Sequence, residues 1–276
     1  MSTTAKLNYA TPPADGSRAF TQVYPDPVTG ERPRNWQEDP HIVEIEDIRG
    51  KEDNYTLDVA GFQYSRHSAK HTKFTDDEEI KEEYYPESIE LIKKCTGASR
   101  VVIFDHTLRR RRPGESDTSP QNRQPVKLVH ADQTMAASIA RVHRHLPATD
   151  VPALLRCRFQ IINLWRPISH PAVEWPLAVC DFRSLDTEAD LMPTSIKFYE
   201  REGEVYGIKY NPDHKWMYKS AMDPEDFVLL KCFDSIQDGS VATLVPHSGF
   251  EDPKTPKDAP FRKSIELRAL VFYEEK

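Results

Sequence analysis

Short apolar runs broken by turns dominate the second half of the chain. Strands are predicted at 157–165, 177–182, 195–198, 204–210, 216–218, 227–233, 241–245 and 264–273. A 3.6-residue period is mostly absent there. In the first half, 41–48 and 61–64 read as strands, and Val101-Val102-Ile103-Phe104 reads as a buried one. Two stretches read as helical. In 75–96, Thr75 is placed to cap, acidic residues crowd the first turns and Lys93 and Lys94 sit near the end, matching the helix dipole. Pro86 should split that stretch and Gly97 should stop it. The second helix is 134–146. Residues 1–40, rich in Thr, Pro, Asp and Gly, read as an extended N-terminal arm that lies on the domain or stays mobile. That leaves 41–276 as a single domain. The expected class is mainly β with flanking helices, a sandwich or barrel.

Composition sharpens this picture in three places. Pro outnumbers Gly by 22 to 10, which favours rigid turns between short strands. The net charge of −7 argues against a protein that wraps nucleic acid. The local exception is Arg109-Arg110-Arg111-Arg112, followed by Pro113-Gly114 and a polar run to 122. It reads as a solvated loop, with substrate-anion binding as the weaker alternative. Cys95, Cys157, Cys180 and Cys232 form no C-x-x-C pair, so reduced thiols are expected rather than a zinc knuckle or disulfide framework. Residues 1–10 lack an apolar signal core, and no run approaches the ~20 apolar residues of a membrane span. A cytoplasmic protein without membrane contact is the expectation. There is no internal repeat, no phosphate-binding glycine loop and no G-x-S-x-G elbow.

The chemistry concentrates in Val129-His130-Ala131-Asp132-Gln133-Thr134. On a strand, residues i and i+2 point the same way, so His130 and Asp132 can reach one metal ion. H-x-D alone is a weak signal. A second histidine would complete a two-His-one-carboxylate set with adjacent open positions. His247, in Pro246-His247-Ser248-Gly249-Phe250, is placed at a strand end and suits that part. In the last strand Arg262, Ser264, Glu266 and Arg268 share one face, while Ile265, Leu267, Ala269 and Val271 lie on the other. The polar face can bind a dianionic acid through a planar guanidinium and a hydroxyl, or can simply meet solvent.

These segments, together with Asp105-His106-Thr107, Asn163-Leu164-Trp165-Arg166-Pro167 and Pro176-Leu177-Ala178-Val179-Cys180-Asp181, resemble the Fe(II)/2-oxoglutarate-dependent oxygenases. More narrowly, they resemble the hydroxylase/desaturase group of fungal secondary metabolism. That group includes gibberellin-desaturase-like proteins and relatives of the cephamycin hydroxylase component. The similarity runs from about residue 40 to the C-terminus. It implies a catalytic domain with a double-stranded β-helix (jelly-roll, cupin-like) core over 41–276. Fe(II) would be held by His130, Asp132 and His247. Arg262 and Ser264 would hold the distal carboxylate of 2-oxoglutarate. The His247-to-Arg262 spacing exceeds that of the plant-type enzymes, so Arg268 competes for the anchor role. Asn163-Leu164-Trp165 follows H-x-D, whereas the plant Asn-x-Tyr segment precedes it, so no role transfers to it.

The resemblance further implies O2 as co-reactant, a small-molecule substrate and hydroxylation or desaturation through an iron-oxo intermediate. A homodimer is compatible with it. Two other readings keep the same residues. One is a cupin-like binding protein without turnover, and the other is a metal-dependent oxidase or hydrolase that ignores 2-oxoglutarate. Around the core set, Gln133 and Thr134 are candidates to hydrogen-bond the ligands. Trp165 and Arg166 divide between pocket lining and core packing with a surface arginine. His143 and His145 are expected on a helix surface. His106 and His214 are weaker metal candidates, and Asp181 and Arg183 are expected to pair.

Overall fold

The computed structural model describes residues 2–115 and 123–274, so most of the polar run after Gly114 lies outside the described residues. Strands are numbered in chain order. Nine form one sheet in the order β1 (Ser2–Thr11), β3 (Gln37–Asp47), β11 (Trp216–Tyr218), β8 (Leu177–Cys180), β13 (His247–Gly249), β6 (His130–Ala131), β10 (Glu202–Ile208), β9 (Leu191–Lys197) and β2 (Ala19–Gln22). Five form the other, in the order β4 (Phe62–Arg66), β12 (Asp226–Asp234), β7 (Arg158–Pro167), β14 (Lys263–Tyr273) and β5 (Arg100–Arg110). The expected jelly roll is the fold observed.

The central strands of the smaller sheet, β7, β12 and β14, are buried on both faces because both are covered. Ile265, Leu267, Ala269 and Val271 of β14 pack with Ile162 and Leu164 of β7 against Ile80, Tyr84, Leu91 and Ile92 of the helical layer. The opposite face meets the larger sheet. There Trp165, Val228 and Leu230 join Leu177 and Val179 in a second cluster. The polar row of β14 also points into this space. Ser264 and Glu266 are buried, as is Arg262 just before the strand, so solvent does not claim this face.

The helical stretch has more parts than the sequence suggested. Asp76, not Thr75, caps it, accepting hydrogen bonds from the backbone N–H groups of Glu78 and Glu79. A short helix α2 (Asp77–Glu79) runs into one π-helical turn, Ile80–Tyr84, and then α3 (Tyr85–Thr96). Pro86 opens α3 in its first turn, where its missing N–H costs nothing. Gly97 ends it with φ 74°. The other long helix, α4 (Met135–His145), falls where expected and is capped by the Thr134 hydroxyl.

Other expectations change. The expected arm instead supplies both edges of the larger sheet, through residues 2–11 and 19–22. β1 pairs along its whole length with β3, burying Leu7 and Tyr9, and β2 runs parallel to β9. The predicted strand 241–245 is irregular, and the strand starts instead at His247. The basic run is not a solvated loop. Arg109 and Arg110 complete β5, where Arg110 donates to the Phe74 carbonyl, and Arg111 pairs with Glu174 at 2.8 Å.

Candidate active site

β6 is two residues long, flanked by β13 and β10. Its first residue, His130, is directly opposite His247 on β13. Antiparallel pairing thus brings together two histidines 117 positions apart, with ring centroids 4.4 Å from each other. Asp132 lies one residue beyond β6, where the chain bends toward α4. His130 Nε2 is 3.4 Å from Asp132 Oδ1. One ligand atom from each of His130, Asp132 and His247 lies within 4.8 Å of the others, a spacing that one metal ion can bridge.

Both imidazoles are oriented for the same end to face the ion. His130 Nδ1 meets the Leu128 carbonyl at 2.8 Å, and His247 Nδ1 meets the Val245 carbonyl at 3.1 Å. A carbonyl accepts the Nδ1 proton, which leaves each Nε2 as the donor atom. Burial pushes the His247 imidazole down, and the neighbouring His130 pushes it further, favouring the neutral ligand form. Burial would also raise the Asp132 carboxyl. Contact with the His130 imidazole and the Arg268 charge outweigh it and hold that carboxyl well below the usual range.

The smaller sheet supports this set. Asn163 of β7 donates to Asp132 Oδ2 at 2.5 Å and to Glu266 at 2.9 Å. Glu266 also accepts from Arg268, and Arg268 reaches Asp105 and Thr107 at 3.0 Å. Arg268 is therefore satisfied by protein groups. Sequence reasoning assigned no role to Asn163. The available signal was a buried amide inside the apolar run of β7.

Arg262 is different. It is 2% exposed, its Nη1 donates to the Trp175 carbonyl at 2.6 Å, and its Nε has no partner. The Ser264 hydroxyl is likewise buried without a partner. Burial pushes the Arg262 guanidinium down to about 9, helped by Arg109. Arg262 lies over the Trp165 ring and lines a narrow cavity with His130, His247, Trp165 and Leu230. A side chain at Gly249 would press on the Val126 carbonyl at 3.1 Å and on Arg262 at 3.4 Å. Trp175, which receives Arg262, holds a positive φ of 51°, a strained conformation for a bulky residue.

The remaining candidates separate cleanly. Trp165 lines the cavity, but Arg166 is buried on the far side, donating to the carbonyls of His67 and Pro224. It is not the surface arginine expected. Thr134 caps α4 and has no bond to Asp132. Gln133 is buried beside the same bend. His143 is exposed and His145 stacks on Phe104. His106 meets the Tyr85 hydroxyl, and His214 meets Asp190 at 3.0 Å, so neither joins the metal set. Asp181 and Arg183 pair as expected.

Comparison with known proteins agrees with this geometry. Residues 7–272 match the family described as Oxidoreductase/YMDC permease-like domain. The hydroxylase/desaturase efuI of Hormonema carpetanum is 36% identical, covering 84% of each chain. The Fe(II)/2-oxoglutarate-dependent dioxygenase nvfI of Aspergillus novofumigatus is 32% identical, over 92% of this chain and 90% of its own. The solved structure of the iron and alpha-ketoglutarate-dependent endoperoxidase NvfI superimposes with a TM-score of 0.86 at 29% identity, covering 99% of both chains. The chain belongs to the Fe(II)/2-oxoglutarate-dependent dioxygenases of the hydroxylase/desaturase group, within the family described as Oxidoreductase/YMDC permease-like domain.

Proposed function

We propose that His130, Asp132 and His247 hold the Fe(II), and that Arg262 with Ser264 receives the distal carboxylate of 2-oxoglutarate, for hydroxylation or desaturation of a small organic molecule. The observation that carries the anchor assignment is the pair of buried, unpartnered donors, Arg262 Nε and Ser264 Oγ, beside the two histidines. A buried guanidinium without a carboxylate partner is costly, and a bound carboxylate relieves that cost. Arg268 is already paired with Asp105 and Glu266 and has no such need. The free volume beside Arg262 is about 20 Å³, so binding requires its side chains to move apart. When bound, iron and 2-oxoglutarate supply the oxidising power for breaking a C–H bond. The protein's part is orientation. Asn163 and Arg268 fix the Asp132 carboxylate, backbone carbonyls fix both imidazoles, and Trp165 and Leu230 exclude water from the cavity.

Four free thiols support a reducing compartment, the cytoplasm, as the place of action. Among the described residues no helix is long and apolar enough to cross a membrane. The test is anaerobic titration of 2-oxoglutarate into Fe(II)-loaded protein. Arg262→Gln should weaken 2-oxoglutarate binding by about 100-fold, in line with losing a charge-assisted bidentate contact, while iron binding stays intact. His130→Ala should lose iron binding itself. Unchanged 2-oxoglutarate affinity in Arg262→Gln would move the anchor elsewhere, and a metal-independent oxidase activity in His130→Ala would remove the triad.

A further inference from the structure

A second cavity, of about 380 Å³, opens on the Asp132 side of the site. One stripe of α4 forms part of its wall. Ala137, Ala140, Arg141 and Arg144 follow the i, i+3, i+4, i+7 spacing that places side chains on one face. The small residues lie nearer Asp132 and the two arginines further along. At ~1.5 Å rise per residue, Arg141 and Arg144 stand roughly 6 and 10 Å beyond Ala137 along the axis. Arg201, at the turn between β9 and β10, faces the same space, and Ile196, Phe198 and Val205 give it an apolar side.

Among the described residues, three of the cavity's arginines lack a direct ionic partner. Arg141 and Arg201 lie over the rings of Phe104 and Phe198, and neither they nor Arg144 form a hydrogen bond or ion pair with any described residue. The carboxylates lining the cavity are mostly committed. Asp105 pairs with Arg268, Glu204 pairs with Arg18, and Asp132 belongs to the triad. Six arginines line the cavity, and Glu202 is the lining carboxylate left to face Arg141, Arg144 and Arg201, with Asp105 shared between Arg268 and Arg141. Burial lowers the pKa of Arg141; Asp105 offsets part of this, and the neighbouring Arg144, Arg268 and Arg201 add to it. Arginine is suited to such a place because its planar fork binds a carboxylate in two-point fashion.

We propose that the organic substrate is an acid with an apolar body, whose carboxylate is held by Arg141 and Arg144, with Arg201 closing from the hairpin. The proposal rests on the reading of His130, Asp132 and His247 as the reacting centre. The geometry then sets the charged group well away from the carbon that reacts, with Ala137 and Ala140 leaving room for the body between them.

The test uses a matched pair of probes, 2-naphthoate and its uncharged methyl ester. Their binding is measured by equilibrium dialysis to protein loaded anaerobically with Fe(II) and saturating 2-oxoglutarate. The acid should bind at least about tenfold more tightly than the ester, as one charge-assisted contact requires. The R141Q/R144Q variant should lose that preference while keeping its Tm and its 2-oxoglutarate affinity. R144Q/R201Q serves as a second variant, since it leaves the Arg141–Phe104 contact in place. Equal binding of acid and ester, binding of neither, or a preference that survives both double variants would overturn the proposal. So would displacement of naphthoate by 2-oxoglutarate, which would give these arginines to the cosubstrate. The visible charge-transfer absorption of the loaded protein reports the iron and 2-oxoglutarate reading separately. Its presence with no acid preference defeats this proposal alone, and its absence defeats the underlying one.

Discussion

Asn163 shows how one side chain ties the two sheets at the site. Its amide spans from Asp132, near the larger sheet, to Glu266 on β14. Groups that orient a ligand are commonly worth 10–100-fold in metal affinity. Asn163→Leu keeps the volume and removes both hydrogen bonds. Iron affinity should fall by about 10- to 100-fold in a competition titration, and unchanged affinity would show that Asp132 is held by Arg268 alone. H-x-D was legible because i and i+2 on extended chain share a side. Asn163 was not, because its importance depends on which strand faces Asp132. Arg262 and Arg268 were also indistinguishable in sequence. They differ only in what surrounds them: one lacks partners for a buried Nε, and the other has Asp105 and Glu266.

Short elements carry precise placement here. Helix α1 (Leu57–Ala60) ends at Gly61, with φ 83°, and a Cβ there would stand 2.6 Å from the Leu244 carbonyl. The 244–245 segment leads directly into His247, and the Val245 carbonyl orients that imidazole. Gly61→Ala should therefore lower stability by roughly 2–3 kcal/mol through strain and displacement and weaken iron binding as well. Gly97→Ala is the matched control. Its φ of 74° is equally left-handed, but nothing lies within 4 Å, so about 1 kcal/mol should be lost with iron binding unchanged. Equal effects of the two on iron, read by metal titration beside thermal melts, would deny Gly61 a role in placing His247. Helix 75–96 was legible from its apolar positions, charge order and Gly97, and a short helix over 134–146 was expected as well. The cap at Asp76, the π turn and the irregular 241–245 segment were not, since local geometry chose among several residues of similar propensity.

At the scale of the molecule, the smaller sheet is held at one end by a buried charge cluster. Lys231 and Asp234 of β12 are fully buried, 2.8 Å apart. Arg158 and Gln160 of β7 also bond Asp234, and Asp58 of α1 takes Lys231 and Arg158. Burial would raise the Asp234 carboxyl, but Arg158 and Lys231 bring it below its ordinary value. A lowered folded value means that this stabilisation is complete at neutral pH. It is lost as pH falls from about 4, the unfolded value, through the lower folded one. Asp234→Asn should cost about 3 kcal/mol at pH 7, the usual loss on breaking a buried pair, and should flatten the acid limb of stability against pH. Denaturant melts across that range check both, and an unchanged limb would place the acid sensitivity elsewhere. The sequence by itself determined the β-rich class, most of the strands after 157 but not 241–245, the apolar and polar faces of the last strand, and the His130–Asp132 pair. All of these follow from local patterns, short apolar runs broken by turns and i, i+2 alternation along a single extended segment. Tertiary structure alone decided that His247 stands opposite His130, that Arg109 and Arg110 belong to a strand, that residues 2–11 and 19–22 are sheet edges, and that the Arg262 guanidinium is buried without a carboxylate partner. Each of these depends on which strand lies beside which, and pairing between distant segments leaves no local trace in the chain.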